Sequence, residues 1–182
     1  MDTYRCIVTK REVRTFTERP LPPDLLRRIL NAGRRSGSSR NSQPWHFVVV
    51  RERPRLKALA AFGRFAQHVA TAAAAVCVVV DSPRALFDAG RCAQNMMLAA
   101  WNDGVASCPA TMHSADEARA FLAVPAGHVI AIVISLGYPH AKGRGAIERA
   151  ALRILAGRGR RPLRAMVSWE RYGASAAGPV GI

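Results

Sequence analysis

The stretch Ser36-Gly37-Ser38-Ser39-Arg40-Asn41-Ser42-Gln43-Pro44-Trp45-His46-Phe47-Val48-Val49-Val50 decides how this chain is read. Small and polar residues pass abruptly into Pro-Trp and then into an apolar, β-branched run. Ser, Gly and Asn favour turns because they tolerate unusual backbone angles or hydrogen-bond their own backbone. Phe47 to Val50 has the composition and length of a buried strand. The expectation is a polar loop, rich in donors, delivered by a rigid core strand. Loops held on such scaffolds commonly bind ligands.

Working outward, the sequence predicts a short helix over residues 2 to 16, ending near the basic motif, then a second opened by Pro22-Pro23, because proline suits the first helical turn. Leu25, Leu26, Ile29, Leu30 and Gly33 line one stripe of that second helix, with Asp24, Arg27, Arg28 and Asn31 facing water. Small helices are expected over Pro54 to Phe62 and Phe65 to Ala72. Ala73 to Val80 reads as a central strand, ended by Asp81-Ser82-Pro83. Ser82 and Pro83 can cap and start the helix carrying Ala89, Cys92, Ala93, Met96, Met97 and Ala100, which Gly104 closes. Val105 to Cys108 is expected to be a strand that breaks at Pro109. Ser114 and Glu117 form a capping box, and Val129 to Leu136 is a further strand. A short helix is expected after Pro162, reaching Tyr172. Alternating strands and helices point to an α+β, or α/β sandwich, architecture with helices on both faces of one mixed sheet.

A chain of 182 residues suits one domain with a real core. Its 49% hydrophobic and 21% charged residues are ordinary for a globular protein and far from disorder. No apolar run approaches the ~18 residues of a membrane span, and the N-terminus lacks a long apolar leader, so a cytoplasmic protein with no membrane association is expected. Cys6, Cys77, Cys92 and Cys108 are scattered, and Cys77 and Cys92 read as buried free thiols. The formal charge of +15 is uneven: net +10 up to Arg64, −2 from Phe65 to Pro139, and +7 from His140 onward. Basic ends with a near-neutral middle suit a nucleic-acid binder or an enzyme whose two ends converge on phosphate. With 7% aromatic residues and no recognisable binding motif, nucleic acid is set aside.

Two motifs carry a resemblance. Asn41-Ser42-Gln43-Pro44-Trp45-His46-Phe47, preceded by Ser38-Ser39, resembles the signature loop of the flavin-dependent nitroreductase family. Lys10-Arg11-Glu12-Val13-Arg14-Thr15-Phe16 is similar to that family's N-terminal basic phosphate motif, and the spacing between the two also matches. The resemblance covers roughly Thr3 to Gly173. It implies a single flavin-binding domain over 1–173 with a mainly antiparallel sheet, and leaves 174–182 as a loose tail. It further implies an oxidoreductase passing hydride from NADH or NADPH through FMN to a small nitroaromatic or quinone-like acceptor, with a homodimer holding flavin at its interface.

By the same resemblance, Lys10 and Arg11 serve the FMN phosphate and ribityl region. Arg14 would approach the pyrimidine edge of the ring, where its charge would support the reduced flavin. Ser38, Ser39 and Asn41 would supply hydroxyl and amide groups to the flavin held mostly by the partner chain, with Arg35 and Arg40 in reach of phosphate. Pro109, Ala110, Thr111 and Met112 occupy the segment whose backbone amide would face flavin N5. Arg160 or Arg161, beside Arg158, resembles the C-terminal arginine that closes on the phosphate. Glu12 stands where the family usually has Ser, and is expected to turn away or to pair with a neighbouring arginine. His46 reads as structural, and His113 as a surface residue near the acceptor cavity. No nucleophile elbow, P-loop, metal-spaced His cluster or Gly-x-Gly-x-x-Gly is present in the sequence. Other expectations left open are a similar protein that dehalogenates, breaks down flavin or binds deazaflavin, and a non-catalytic basic binding protein.

Overall fold

The computed structural model describes residues 2–140 and 160–173. Contacts divide the chain into two compact units, Met1–Ala141 and Lys142–Ile182. The sheet lies in the first unit and contains β1 (Trp45–Val50), β2 (Ala74–Val80), β3 (Ala106–Ala110) and β4 (Val129–Gly137). The strand order is β1-β2-β4-β3, and every neighbouring pair is antiparallel. The one parallel element among the described residues is an isolated bridge between Glu12 and Ser107.

β2 is buried along its whole length, as expected of the Ala73–Val80 run, because it is an inner strand covered on both faces. Its even positions, Ala74, Val76, Val78 and Val80, pack with Ile134 and Leu136 of β4. On that face lie α2 (Pro23–Arg34) and α5 (Leu86–Asn102), which bring Leu26, Ile29, Cys92, Met96 and Met97 to the same core. Its odd positions, Ala75 and Cys77, join Val133, Leu56, Leu59 and Val69 under α3 (Arg53–Ala61) and α4 (Gln67–Ala70) on the opposite face. Helices therefore cover both faces, as the alternation of elements required.

Local signals decide most boundaries. Pro22 caps α2, Ser82 Oγ accepts from the Arg84 N–H at 3.2 Å ahead of α5, and Gly104 follows α5 with φ +76°. α1 (Thr3–Thr9) is capped by the Asp2 carboxylate, which accepts from Arg5 N–H at 2.9 Å. All four cysteines are free and buried, and burial pushes the thiols of Cys77 and Cys92 up to about 12.

Five local expectations need correction. The first helix ends at Thr9 and does not reach residue 16, because Glu12 and Val13 pair with Ser107 instead. β1 is an edge strand in which Val50 alone is fully buried, so the Phe47–Val50 run is not a core strand. β3 does not break at Pro109 but continues through it, with Pro109 opposite Ile134. An edge strand tolerates proline because the missing N–H can lie on the unpaired side. Ser114 precedes α6 (Ala115–Phe121), yet its hydroxyl makes no capping bond. After Pro162 there is a single 3₁₀ turn, Leu163–Ala165, in place of a helix reaching Tyr172.

Candidate functional site

Beyond α1 the chain runs extended beside β3. Val13 N–H donates to Ser107 O at 3.0 Å, and Thr17 N–H donates to Tyr138 O at 2.9 Å. The basic motif is thereby fixed along the start of the strand that carries Pro109 and Ala110. The side chain of Lys10 is 6% exposed, and its ammonium is ion-paired with Glu12 and 3.6 Å from Met97 Sδ on α5. Glu12 thus meets Lys10 and not an arginine. Arg11 donates to the carbonyls of Val8 and Lys10, both at 2.9 Å, satisfying groups left open at the end of α1. Arg14 is exposed and has no hydrogen bond or ion pair among the described residues.

The serine-rich loop is anchored from α5. Ser39 N–H donates to Asp88 Oδ2 at 3.2 Å, and Asn95 Nδ2 donates to Ser36 Oγ at 2.7 Å. Within the loop, Gln43 N–H donates to Ser38 Oγ at 2.8 Å. Arg40, Asn41 and Gln43 have φ of 51°, 55° and 49°, a left-handed conformation that side chains other than Gly and Asn resist. Three such residues within four positions cost on the order of 1 kcal/mol each, and strain of this kind concentrates at ligand-binding sites. The outer side of the loop, Ser39, Arg40 and Asn41, faces solvent, as does Arg35 at the end of α2.

Leaving β3, Thr111 and Met112 cross over Gly63. A Cβ added at Gly63 would stand 2.9 Å from Thr111 O and 2.5 Å from Ala66 Cβ, so only glycine allows this approach. His113 Nδ1 accepts from Arg64 N–H at 3.1 Å, and its ring lies edge-on to Phe65, which is 74% exposed. His113 is a surface residue, as expected; the exposed Phe65 beside it was not anticipated, since nothing in the sequence separates it from a core aromatic.

Beneath this segment runs a buried polar chain that the sequence did not reveal. His68 Nδ1 lies 2.8 Å from Ser135 Oγ, and Ser135 Oγ donates to Cys108 O at 3.1 Å. Ser135 spends its one hydrogen on Cys108, so the His68 imidazole must carry its proton on Nδ1. Burial lowers the His68 pKa to about 4; the positive charge of Arg14 adds to this and Glu12 opposes it. The imidazole is therefore neutral at pH 7, and it ties α4 through β4 to the strand end that carries Pro109–Met112. Its dependence on Arg14 and Glu12 also puts the basic motif beside that end.

One chain does not gather all the expected ligands. Ser39 is tied to Asp88, while Lys10 abuts Met97, two and a half turns or roughly 14 Å further along α5. The Lys10–Arg14 segment is held beside the start of β3, where Glu12 and Val13 pair with Ser107. Arg160 and Arg161 lie in the second unit, exposed, with Arg161 donating to Ala165 O at 2.9 Å. Arg158 lies outside the described residues. No group of three His, Cys, Asp or Glu side chains arranged for a metal ion occurs among the described residues.

Comparison with known proteins fits this geometry. The model of the nitroreductase family matches residues 7–82 and 66–138, which contain both motifs and the whole sheet. The chain belongs to the nitroreductase family. It is 32% identical over 149 residues to an Archaeoglobus fulgidus protein provisionally named NADH dehydrogenase/NAD(P)H nitroreductase, covering 76% of this chain and 86% of that one. A solved nitroreductase with bound FMN from Bacteroides fragilis superposes with a TM-score of 0.66 at 27% identity, over 77% of this chain and 89% of the other. The fold also matches an NADPH:FMN oxidoreductase from Vibrio harveyi complexed with NAD+, with a TM-score of 0.78 at 22% identity, over 96% and 79% of the two chains. As a nitroreductase-family member, this protein is an enzyme and an oxidoreductase. Among its described residues no helix is long and apolar enough to cross a membrane.

Proposed function

We propose that this oxidoreductase is FMN-dependent, draws electrons from NADH or NADPH, and delivers them to a small nitroaromatic or quinone-like acceptor. The observation that carries this reading is the pairing of Val13 with Ser107. It runs the backbone at Arg14, whose side chain has no hydrogen bond or ion pair among the described residues, along the strand that leads to Pro109–Met112. The donor set fits a flavin mononucleotide: a cationic segment for the phosphate, a free arginine for the electron-rich edge of the ring, backbone amides at 110–112, and hydroxyl and amide groups at Ser38, Ser39 and Asn41. When bound, FMN supplies the hydride chemistry. The protein's share is to orient the ring, exclude water and stabilise developing negative charge. Arg14 does the last, and the His68–Ser135–Cys108 chain keeps the strand end beneath it fixed.

The separation of Ser39 from Lys10 supports a site completed by a second copy of this chain. A homodimer would bring the loop of one protomer to the basic motif of the other. The faces available for it are apolar: Tyr4 and Ile7 on α1 and Phe87 on α5 are 76%, 51% and 76% exposed. Obligate interfaces typically bury on the order of 2,000 Å² or more. Arg160 or Arg161 is proposed to reach the phosphate, residues 1–173 to form one flavin-binding domain followed by a tail, and the enzyme to work in the cytoplasm.

The visible spectrum of the purified protein, with the released cofactor identified by mass, tests the reading. FMN in stoichiometric amount is expected. A colourless protein with no spectral change on adding FMN, FAD or deazaflavin would remove it. Arg14→Ala should slow flavin reduction more than it weakens flavin binding. Refolding Arg14→Ala chains together with Ser38→Ala/Asn41→Ala chains should restore part of the activity, since mixed dimers regain one intact site of two. Absence of recovery, with a flavin-loaded monomer in sedimentation, would show that each chain builds its own site.

A further inference from the structure

We infer that Glu12 is a specificity-determining residue: its carboxylate holds the Lys10 ammonium that the phosphate end of the cofactor needs, and so acts as an internal competitor for that phosphate. The inference rests on the reading of Lys10–Arg14 as the phosphate segment. It starts from the ion pair itself. The Lys10 side chain is 6% exposed and lies against Met97, and among the described residues Glu12 is the anion paired with it. A cation so far removed from water needs a countercharge, because an unpaired charge is poorly tolerated there. Glu12 supplies that charge from within the same segment.

The carboxylate cannot simply withdraw. The Glu12 backbone is bridged to Ser107, and Val13 beside it is hydrogen-bonded to the same residue, so the Cα is held to β3. The side chain is 41% exposed, which leaves its outer edge open to an arriving anion. Arg11 is not the partner of Glu12, since its guanidinium donates to the carbonyls of Val8 and Lys10. A phosphate approaching Lys10 therefore meets a fixed negative charge within a few ångströms. At that range two like charges repel strongly enough to change an affinity by about an order of magnitude after partial screening. The flavin ring carries no such charge, so the penalty falls on the phosphate alone. Glu12 thereby narrows the preference for a phosphorylated flavin over its unphosphorylated parent, at a position where Ser would not.

The test is to titrate FMN and riboflavin, by flavin fluorescence quenching, into the full chain stripped of flavin. The proteins are wild type, Glu12→Gln, Lys10→Gln and the double variant, with Glu12→Ser as a second replacement should Glu12→Gln fold poorly. Glu12→Gln is expected to tighten FMN roughly tenfold while changing riboflavin less than twofold, with the gain shrinking at high salt and disappearing in the Lys10→Gln background. Equal changes for both flavins, no change, or weaker FMN binding by both Glu12 replacements would overturn the inference. The reading beneath it fails differently: Lys10→Gln would then leave FMN binding untouched, or wild type would bind neither flavin.

Discussion

The two faces of the sheet are built from the same strands but to different specifications. Under α2 and α5 the core is aliphatic and sulfur-bearing, with Val76, Val78, Val80, Ile134, Leu136, Cys92 and Met96, and the buried polar residues Ser36 and Asp88 sit at the serine loop, hydrogen-bonded to Asn95 and Ser39. Under α3 and α4 the cluster is smaller, and His68 and Ser135 lie buried at 5% and 0% exposure beside it. The first face holds the molecule together. The second carries a polar connection from α4 to Cys108, next to the segment proposed to face the cofactor. Buried polar groups are tolerated where every hydrogen finds an acceptor, and the His68–Ser135–Cys108 order meets that requirement. The two sides thus position different parts of the proposed site: α5 anchors the serine loop and abuts Lys10, and the opposite side ties down the end of β3.

The comparison can be broken most directly on the aliphatic face. Met96→Ala should cost about 4 kcal/mol, because Met96 is fully buried and packs where Gly33 brings α2 close to α5. Urea unfolding would read the loss, and flavin affinity of the folded fraction should stay as it was. A cost under about 1 kcal/mol would mean that this face collapses around the cavity and is not tightly packed.

On the polar face the expected signature is pH dependence. The His68 pKa falls from 6.5 to about 4 on folding, so between those values the unfolded chain binds the extra proton. Stability should be fully present above pH 6.5 and decline as pH falls toward 4, by on the order of 3 kcal/mol in total. His68→Gln should flatten that part of the profile, measured as urea midpoints between pH 4.5 and 7. An unchanged slope would place the titration elsewhere.

Ser135→Ala should cost about 2 kcal/mol, since it leaves the buried His68 N–H without its acceptor and removes the hydroxyl that donates to Cys108 O. A loss of flavin affinity beyond that of Met96→Ala would tie this chain to the site, whereas equal affinities would confine it to stability. The smallest effect concerns the thiols. Cys92 lies in the aliphatic cluster and Cys77 in the other, both pushed up to about 12, so neither should react with a thiol reagent at pH 8 in the native state. Labelling of Cys77 alone would show that the polar connection admits water.

Much of this was legible before any coordinates. The Ala73–Val80 and Val129–Leu136 runs, the buried stripe of α5, the caps at Pro22 and Ser82, and the two motifs all announced themselves, because each is a local pattern. The edge position of β1 was not legible: an apolar strand reads alike whether one or two neighbours cover it. Pro109 suggested a break because proline lacks a donor, and only the strand order shows that β3 has a free side to put it on.

Side-chain partnerships across the fold lay further out of reach. His68 and Ser135 stand 67 residues apart, and neither belongs to a recognisable motif. Lys10 and Glu12 are two residues apart, yet the sequence could not say which cation Glu12 would meet, since Arg11 and Arg14 were equally near. By itself the sequence determined the family, the inventory of strands and helices, and the basic segment and serine loop, because hydrophobic period and turn chemistry act over short range. Only the tertiary structure decided where the His68–Ser135 connection runs, that Glu12 occupies Lys10, and that Ser39 and Lys10 meet α5 at separate points, because those outcomes depend on how segments pack in the fold.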